Sequence, residues 1–181
     1  MQTKSFLLFC STALVGAFQM NLPGVSKPLG FFDPLGLSEN KEPIEFKKIQ
    51  ESELKHSRVA MLASLGLLVQ DRFHPLFGLG DKMIGEPIYH FQIVASQYPL
   101  FVPLVIASIG LIEGFNIYKG WEIVSPDKIA NLREDYVVGD LGLNPFQFTE
   151  EQFYDMRTKE LNHGRLAMIA TLILVLQQLN L

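Results

Sequence analysis

Glu53, His56 and Arg58, in Glu53-Leu-Lys-His56-Ser-Arg58, share their spacing with Glu160, His163 and Arg165, in Glu160-Leu-Asn-His163-Gly-Arg165. A carboxylate and an imidazole three residues apart lie on one helix face. Each cluster therefore offers a metal one oxygen and one nitrogen donor from the same side. The Arg stands five residues beyond the Glu, about 140° round the helix, and cannot easily pair with the carboxylate of its own copy. If the two copies cross as helices, Glu53 meets Arg165 and Glu160 meets Arg58. Each Arg then neutralises a carboxylate whose second oxygen stays free for a ligand. Two Glu-x-x-His pairs also describe a di-iron carboxylate bundle, which would make the protein a membrane oxidase. That site needs a Glu from each of two further helices, and only one further helix, with one core acid, Glu113, is on offer.

The clusters belong to a longer repeat. At a constant offset of 107 residues, ten of the twenty positions from Glu53 are identical to their counterparts, including Ala60, Met61, Ala63 and Gln70 against Ala167, Met168, Ala170 and Gln177. Ser57, Ala60 and Ser64 in one copy, and Gly164, Ala167 and Thr171 in the other, form a strip of small residues that lets two backbones approach closely in a membrane. Three helical spans follow, at about 53–72, 98–119 and 158–179. The middle one is plain, because Ile88 to Ile112 carries no charge. The outer two are short of uncharged residues for an isolated span, and they cross only if their charged first turns are paired within the protein. The stretch Pro28–Lys48 is punctuated by Pro and Gly and reads as surface before the first helix. Arg72 and Lys82 are the only cations in the 73–97 loop and its approach, so the N-terminus is placed on the cation-rich side, opposite that loop.

The doubled Glu-x-x-His-x-Arg-x-Ala-Met resembles the first and third membrane helices of the chlorophyll-binding light-harvesting complex proteins. Val69-Gln-Asp-Arg-Phe-His-Pro-Leu76 makes it most similar to the chlorophyll a/c antennae of algae with red-lineage plastids. The resemblance covers residues 31–181. It implies an all-α membrane protein of three transmembrane helices, the first and third a crossed pair related by a pseudo-two-fold axis. Chlorophyll Mg²⁺ accepts an axial oxygen or nitrogen donor, and a Glu ligand in hydrocarbon needs its Arg. The implied ligands are Glu53, His56, Glu160, His163 and Gln177, with Gln70 and Glu113 as further candidates. The alternatives for Gln70 and Gln177 are polar caps at the membrane interface, and for Glu113 a solvated acid. Asp33-Pro34-Leu35 and Asn144-Pro145-Phe146 resemble the loops that hold the ends of two carotenoids, the alternative being two ordinary Pro/Gly turns, and Asn144 departs from the Asp at position 33. His74 and His90 read as surface residues before ligands.

The resemblance implies a light-harvesting antenna rather than an enzyme. Its cofactors would be chlorophyll a, chlorophyll c and xanthophyll carotenoids; its partners would be thylakoid lipids, a photosystem I or II core and neighbouring antenna subunits. A photoprotective, quenching role within the same family is the alternative. The expected place is the plastid thylakoid membrane, N-terminus in the stroma. A net charge of −4 and the lack of a basic cluster argue against nucleic acid. Residues 1–17 pattern as a signal peptide, with Lys4, an apolar run and the small residues Val15-Gly-Ala17; 18–30 follow as a transit segment opened by Phe18. The single cysteine, Cys10, falls in the removed piece. Mass spectrometry of the plastid protein should therefore find its N-terminus at or beyond Phe18, and a chain that retains Met1 would overturn this processing.

Overall fold

Two helix starts are written into the chain. Pro43 occupies a first helical position, where its missing N–H costs nothing, and Glu45 adds an acid to that first turn. At the second start the Thr149 side chain accepts the Gln152 N–H while the Gln152 side chain accepts the Thr149 N–H. This reciprocal capping box satisfies two of the amides that a helix start leaves open. The computed structural model describes residues 22–26, 30–38, 41–70, 86–122, 131–142 and 148–179. Its helices are α1 (Pro43–Gln70), α2 (His90–Gln97), α3 (Phe101–Gly120) and α4 (Glu150–Gln178). The signal and transit segments to residue 21, His74, and Asn144, Pro145 and Phe146 lie outside the described residues.

The outer helices begin earlier than the hydrophobic pattern predicts, α1 at Pro43 rather than 53 and α4 at Glu150 rather than 158. The end of the Pro28–Lys48 stretch is therefore helix, not surface loop. Caps and acids start a helix as well as an apolar stripe does, and both signals stand in the sequence. At about 1.5 Å per residue, 28 and 29 residues make helices about 42–44 Å long, against about 30 Å of bilayer hydrocarbon. Among the described residues only α3 is both long and apolar enough by composition to cross a membrane. The 73–97 connection is also more ordered than a loop at its far end. A 3₁₀ turn over Pro87–Tyr89 runs into α2, and Gln178 Oε1 accepts the Ile88 N–H at 3.1 Å. His90 is buried there rather than at the surface.

α1 and α4 pack against each other, and their buried residues recur every three positions: Glu51, Leu54, Ser57 and Ala60 on α1, Leu161, Gly164 and Ala167 on α4. The crossing point is Ser57 on Gly164, which are equivalent positions of the repeat. A Cβ on Gly164 would collide with Ser57 Cβ and lie 3.0 Å from its Cα, so no larger residue fits. Beyond that point Thr171 Oγ1 donates to the Ala60 carbonyl at 3.1 Å. Ala60 lies past Ser57 and Thr171 past Gly164, both toward the helix C-termini, so the pair is parallel. Facing outward, Leu62, Leu65, Ile109, Leu111, Leu166 and Leu172 are more than half exposed. An apolar belt of that extent is what a lipid or pigment surface covers. Gly164→Val should cost about 1–3 kcal/mol or more through overpacking at the crossing, seen as a lowered thermal midpoint of the helical circular-dichroism signal. An unchanged midpoint would mean that the helices do not meet there.

Candidate functional site

The two arginines cross between the helices. Arg58 Nε donates to Glu160 Oε1 at 2.7 Å, and Arg165 Nε donates to Glu53 Oε1 at 2.8 Å. Each guanidinium also reaches a loop glycine carbonyl, Arg58 Nη2 to Gly139 at 3.2 Å and Arg165 Nη1 to Gly24 at 2.6 Å. Both glycines hold left-handed backbone, φ 77° and 86°, and both pack on the repeat-equivalent leucines, Gly139 on Leu54 and Gly24 on Leu161. A side chain at either would be strained and crowded at once. Their amides are matched too: Gly139 N–H donates to the Glu51 side chain and Gly24 N–H to that of Thr158, again equivalent positions. The pseudo-two-fold therefore extends beyond the helices to the loops that brace them.

In each pair one carboxylate oxygen is taken by the guanidinium, and the other receives no hydrogen bond among the described residues. The side chains keep between 30 and 43% exposure within the protein alone. In water such pairs contribute about 0–1 kcal/mol. Covered by lipid or pigment, they approach the regime where loss of one partner costs about 3–5 kcal/mol.

The histidines follow the same symmetry. His56 Nδ1 lies 2.7 Å from the Ser52 carbonyl, and His163 Nδ1 lies 2.7 Å from the Lys159 carbonyl. A carbonyl only accepts, so Nδ1 carries the proton in both rings, and in the neutral imidazole Nε2 is then the nitrogen with the lone pair. Both rings are exposed, and His56 shares with Glu53 a groove of about 440 Å³ lined also by Ile49 and Met168. No three His, Cys, Asp or Glu side chains converge on one point among the described residues, so each donor acts singly. Single donors beside an apolar groove suit a metal whose other ligands come with it, such as a macrocycle-bound Mg²⁺ needing one axial partner. Among the described residues they do not gather into the carboxylate cluster that a di-iron centre needs.

The other candidates are dispersed. Glu113 on α3 is held by Lys55 of α1, Nζ to Oε2 2.6 Å, so it too is a carboxylate neutralised from another helix. Gln70 is the last residue of α1, and Gln177 is the next to last of α4; both are exposed, at the opposite helix end from the Glu clusters. Asp33 folds its own loop, accepting the Leu37 and Ser38 amides at 3.0 and 2.8 Å. The Ser38 hydroxyl, more than these amides, holds the Asp33 carboxyl below the usual carboxylate range. With Pro34 and Leu35 it borders a groove of about 610 Å³ that reaches Phe46, Ile49, Glu53 and Arg165. A smaller groove of about 280 Å³ is bounded by Phe153, Met156 and Glu160. These are the repeat counterparts of Phe46, Ile49 and Glu53, so the two grooves are themselves related by the pseudo-two-fold.

Three residues outside the repeated cluster complete the site. Glu51 is only 3% exposed and accepts from Asn116 Nδ2 at 3.3 Å, Tyr136 Oη at 3.2 Å and the Gly139 N–H at 3.0 Å. It joins α1, α3 and the 131–142 segment. Its signal in the sequence is spacing, since Glu51 continues the three-residue stripe of Leu54, Ser57 and Ala60.

The class that this arrangement defines is a helical scaffold presenting isolated axial donors, each carboxylate neutralised across a helix pair. The family model "Chlorophyll A-B binding protein" matches residues 18–179, and the chain belongs to that family, whose fold is an all-helical membrane one. The chain is 45% identical over 159 residues to a fucoxanthin-chlorophyll a-c binding protein of Isochrysis galbana, covering 84% of this chain and 74% of that one. It is 33% identical over 178 residues to fucoxanthin-chlorophyll a-c binding protein F of Phaeodactylum tricornutum, covering 93% and 83%. Light-harvesting complex stress-related protein 3.2 of Chlamydomonas reinhardtii is 41% identical over 172 residues, covering 91% of this chain. The chain spans just under two thirds of that relative's length, 65%.

Burial, and then the neighbouring Glu51 carboxylate, push the Tyr136 phenol up to about 12. A raised folded-state value means that the phenol's contribution to stability is fully present below the unfolded value of about 10. That contribution is then lost as pH rises from about 10 to 12. Spectrophotometric titration of the Tyr136→Phe variant should match wild type up to about pH 11 and lose one tyrosinate above it. A difference near pH 10 would show a phenol that is not buried against Glu51.

Proposed function

We propose that the protein is a light-harvesting antenna subunit of the plastid thylakoid membrane, binding chlorophyll a, chlorophyll c and carotenoids and passing excitation toward a photosystem. The observation that carries this reading is the crossed pairing of Glu53 with Arg165 and Glu160 with Arg58, which gives two neutralised carboxylates, each with an oxygen to spare. Bound chlorophyll supplies the absorption and the excited state. The chain's part is to hold Mg²⁺ and to exclude water. Glu53 and Glu160 offer their unpaired oxygens, His56 and His163 their Nε2 lone pairs, Glu113 an oxygen beside Lys55, and Gln70 and Gln177 their amide oxygens. Asp33, Pro34 and Leu35 hold one carotenoid end, and Asn144, Pro145 and Phe146 the other. α1 and α4 cross the membrane with α3, the N-terminus on the stromal side, where the cations gather. Thylakoid lipids, neighbouring antenna subunits and a photosystem core are the partners. The role is pigment carriage without turnover.

Similarity to the stress-related relative supports a second reading, dissipation of excess excitation. Acids on the lumenal side would sense pH there, and among them Glu86 is exposed just ahead of α2. Fluorescence lifetimes that shorten on acidification of the pigmented protein would favour it.

The full chain refolded with chlorophylls and carotenoids should be coloured. Arg58→Leu should lose the chlorophyll that Glu160→Ala loses, identified by its difference spectrum, and keep the one that Glu53→Ala loses. The orphaned Glu160 carboxylate has lost the cation that neutralises and orients it, and becomes a poor ligand. A colourless wild-type product would sink the function, and loss confined to the Glu53 site would sink the crossed pairing.

A further inference from the structure

The two ends of the repeat are equivalent in shape but not in charge. At the Glu160 end the peptide joining Val138 to Gly139 is gripped from both sides. Arg157 Nη2 donates to the Val138 carbonyl at 2.8 Å, and the Gly139 N–H donates to Glu51 Oε2 at 3.0 Å. A cation thus meets the negative end of that peptide dipole and an anion the positive end. The next carbonyl, that of Gly139, accepts Arg58 Nη2 at 3.2 Å, while Arg58 Nε holds Glu160 at 2.7 Å. At the other end the counterparts are neutral: Thr158 stands for Glu51 and Gln50 for Arg157. The Gly24 N–H donates to Thr158 Oγ1 at 3.3 Å, and the Pro23 carbonyl accepts no side-chain hydrogen bond among the described residues.

We infer that Glu51 and Arg157 are positioning residues for the Glu160 ligand site, acting as a charge-matched clamp on one peptide that sets Arg58 against Glu160. Glu51 is buried and has no Lys or Arg in ion-pair contact among the described residues. Among the described residues it is held by Asn116, Tyr136 and the Gly139 amide. Such a carboxylate would be a liability unless its charge were matched nearby. Arg157 is a desolvated cation on the other side of the same peptide, in the field of Glu160 first, then of Arg58 and Asp140, and last of Glu51. Removing Glu51 frees the Gly139 N–H side of the peptide and leaves Arg157, three residues from Glu160 on the same helix, to turn further toward that carboxylate in competition with Arg58. Removing Arg157 frees the Val138 carbonyl and lets Gly139 drift from Arg58. Removing both reproduces the neutral end, which holds Glu53 on Arg165 with uncharged residues. The two substitutions should therefore compensate, whereas a purely structural loss would add.

This inference rests on the reading of Glu160 as a chlorophyll ligand, so the experiment carries that control. The full chain is refolded with chlorophylls and carotenoids as wild type, Glu160→Ala, Glu53→Ala, Glu51→Thr, Arg157→Gln and the Glu51→Thr/Arg157→Gln double variant. Occupancy of each chlorophyll is read from its difference spectrum. Each single variant should lower occupancy of the Glu160 site about tenfold, the loss expected for a buried charged partner left unmatched, with the Glu53 site unchanged. The double variant should regain most of that loss. Equal losses at both sites, no loss in either single variant, or a double variant worse than both singles would overturn the clamp. If Glu160→Ala kept its full pigment complement, the ligand reading itself would fall, whatever the clamp variants did.

Discussion

A carboxylate cannot stand bare in an apolar medium, and two of them must do so here if they are to serve as ligands. The crossed guanidinium–carboxylate pairs resolve that conflict, and much of the architecture follows from them. Each pair needs the helices to cross within reach of an Arg side chain, which brings the backbones together at Ser57 and Gly164 and admits only small residues there. Each Arg has donors to spare beyond its carboxylate. Gly24 and Gly139 supply the extra carbonyls from left-handed turns that other residues adopt only under strain. The same pairing makes Glu53 and Glu160 acceptors with one oxygen engaged and one open, a state that neither a solvated Glu nor a protonated one can offer.

Fixing the histidines takes less. Both Nδ1 protons are spent on carbonyls one helical turn back, Ser52 and Lys159, so the tautomer is set by the helix itself. The donor atom is directed outward because the other nitrogen is already committed. The third carboxylate, Glu113, shows how general the device is: its cation, Lys55, again comes from a different helix. Neutralisation across helices ties each of these carboxylates to the tertiary structure, so an unassembled chain would not display the same donors.

Much of this was legible in the sequence because the repeat carries polar identities that hydrophobic pressure alone would not preserve. The 107-residue offset brings Glu, His, Arg and the small residues into register, and helical angles alone say that Glu53 and Arg58 face apart. The helix starts were less legible. Pro43 and the Thr149/Gln152 box are local signals, and they were overshadowed by the apolar pattern that begins several residues later. Spacing puts Glu51 on the buried stripe of Leu54, Ser57 and Ala60, but its partners were not legible, because Asn116 and Tyr136 come from segments 65 and 85 residues away. No spacing rule links a helix to a loop on the far side of another helix. His90 misled in the other direction, since an interfacial position gives no hint that α2 folds it inward.

The internal repeat has one further consequence. α1 and α4 meet as an isologous interface, the kind that normally joins two subunits, yet here both halves are on one chain. Tethering replaces an encounter between molecules with an intramolecular one, at an effective concentration of order millimolar for a flexible link. The pair therefore assembles independently of how much protein the membrane holds. A true homodimer must carry every substitution twice; a tethered one need not. Glu51 could arise without a matching acid at Thr158, and Arg157 without a cation at Gln50. With both halves on one polypeptide, two equivalent sites are free to differ in charge.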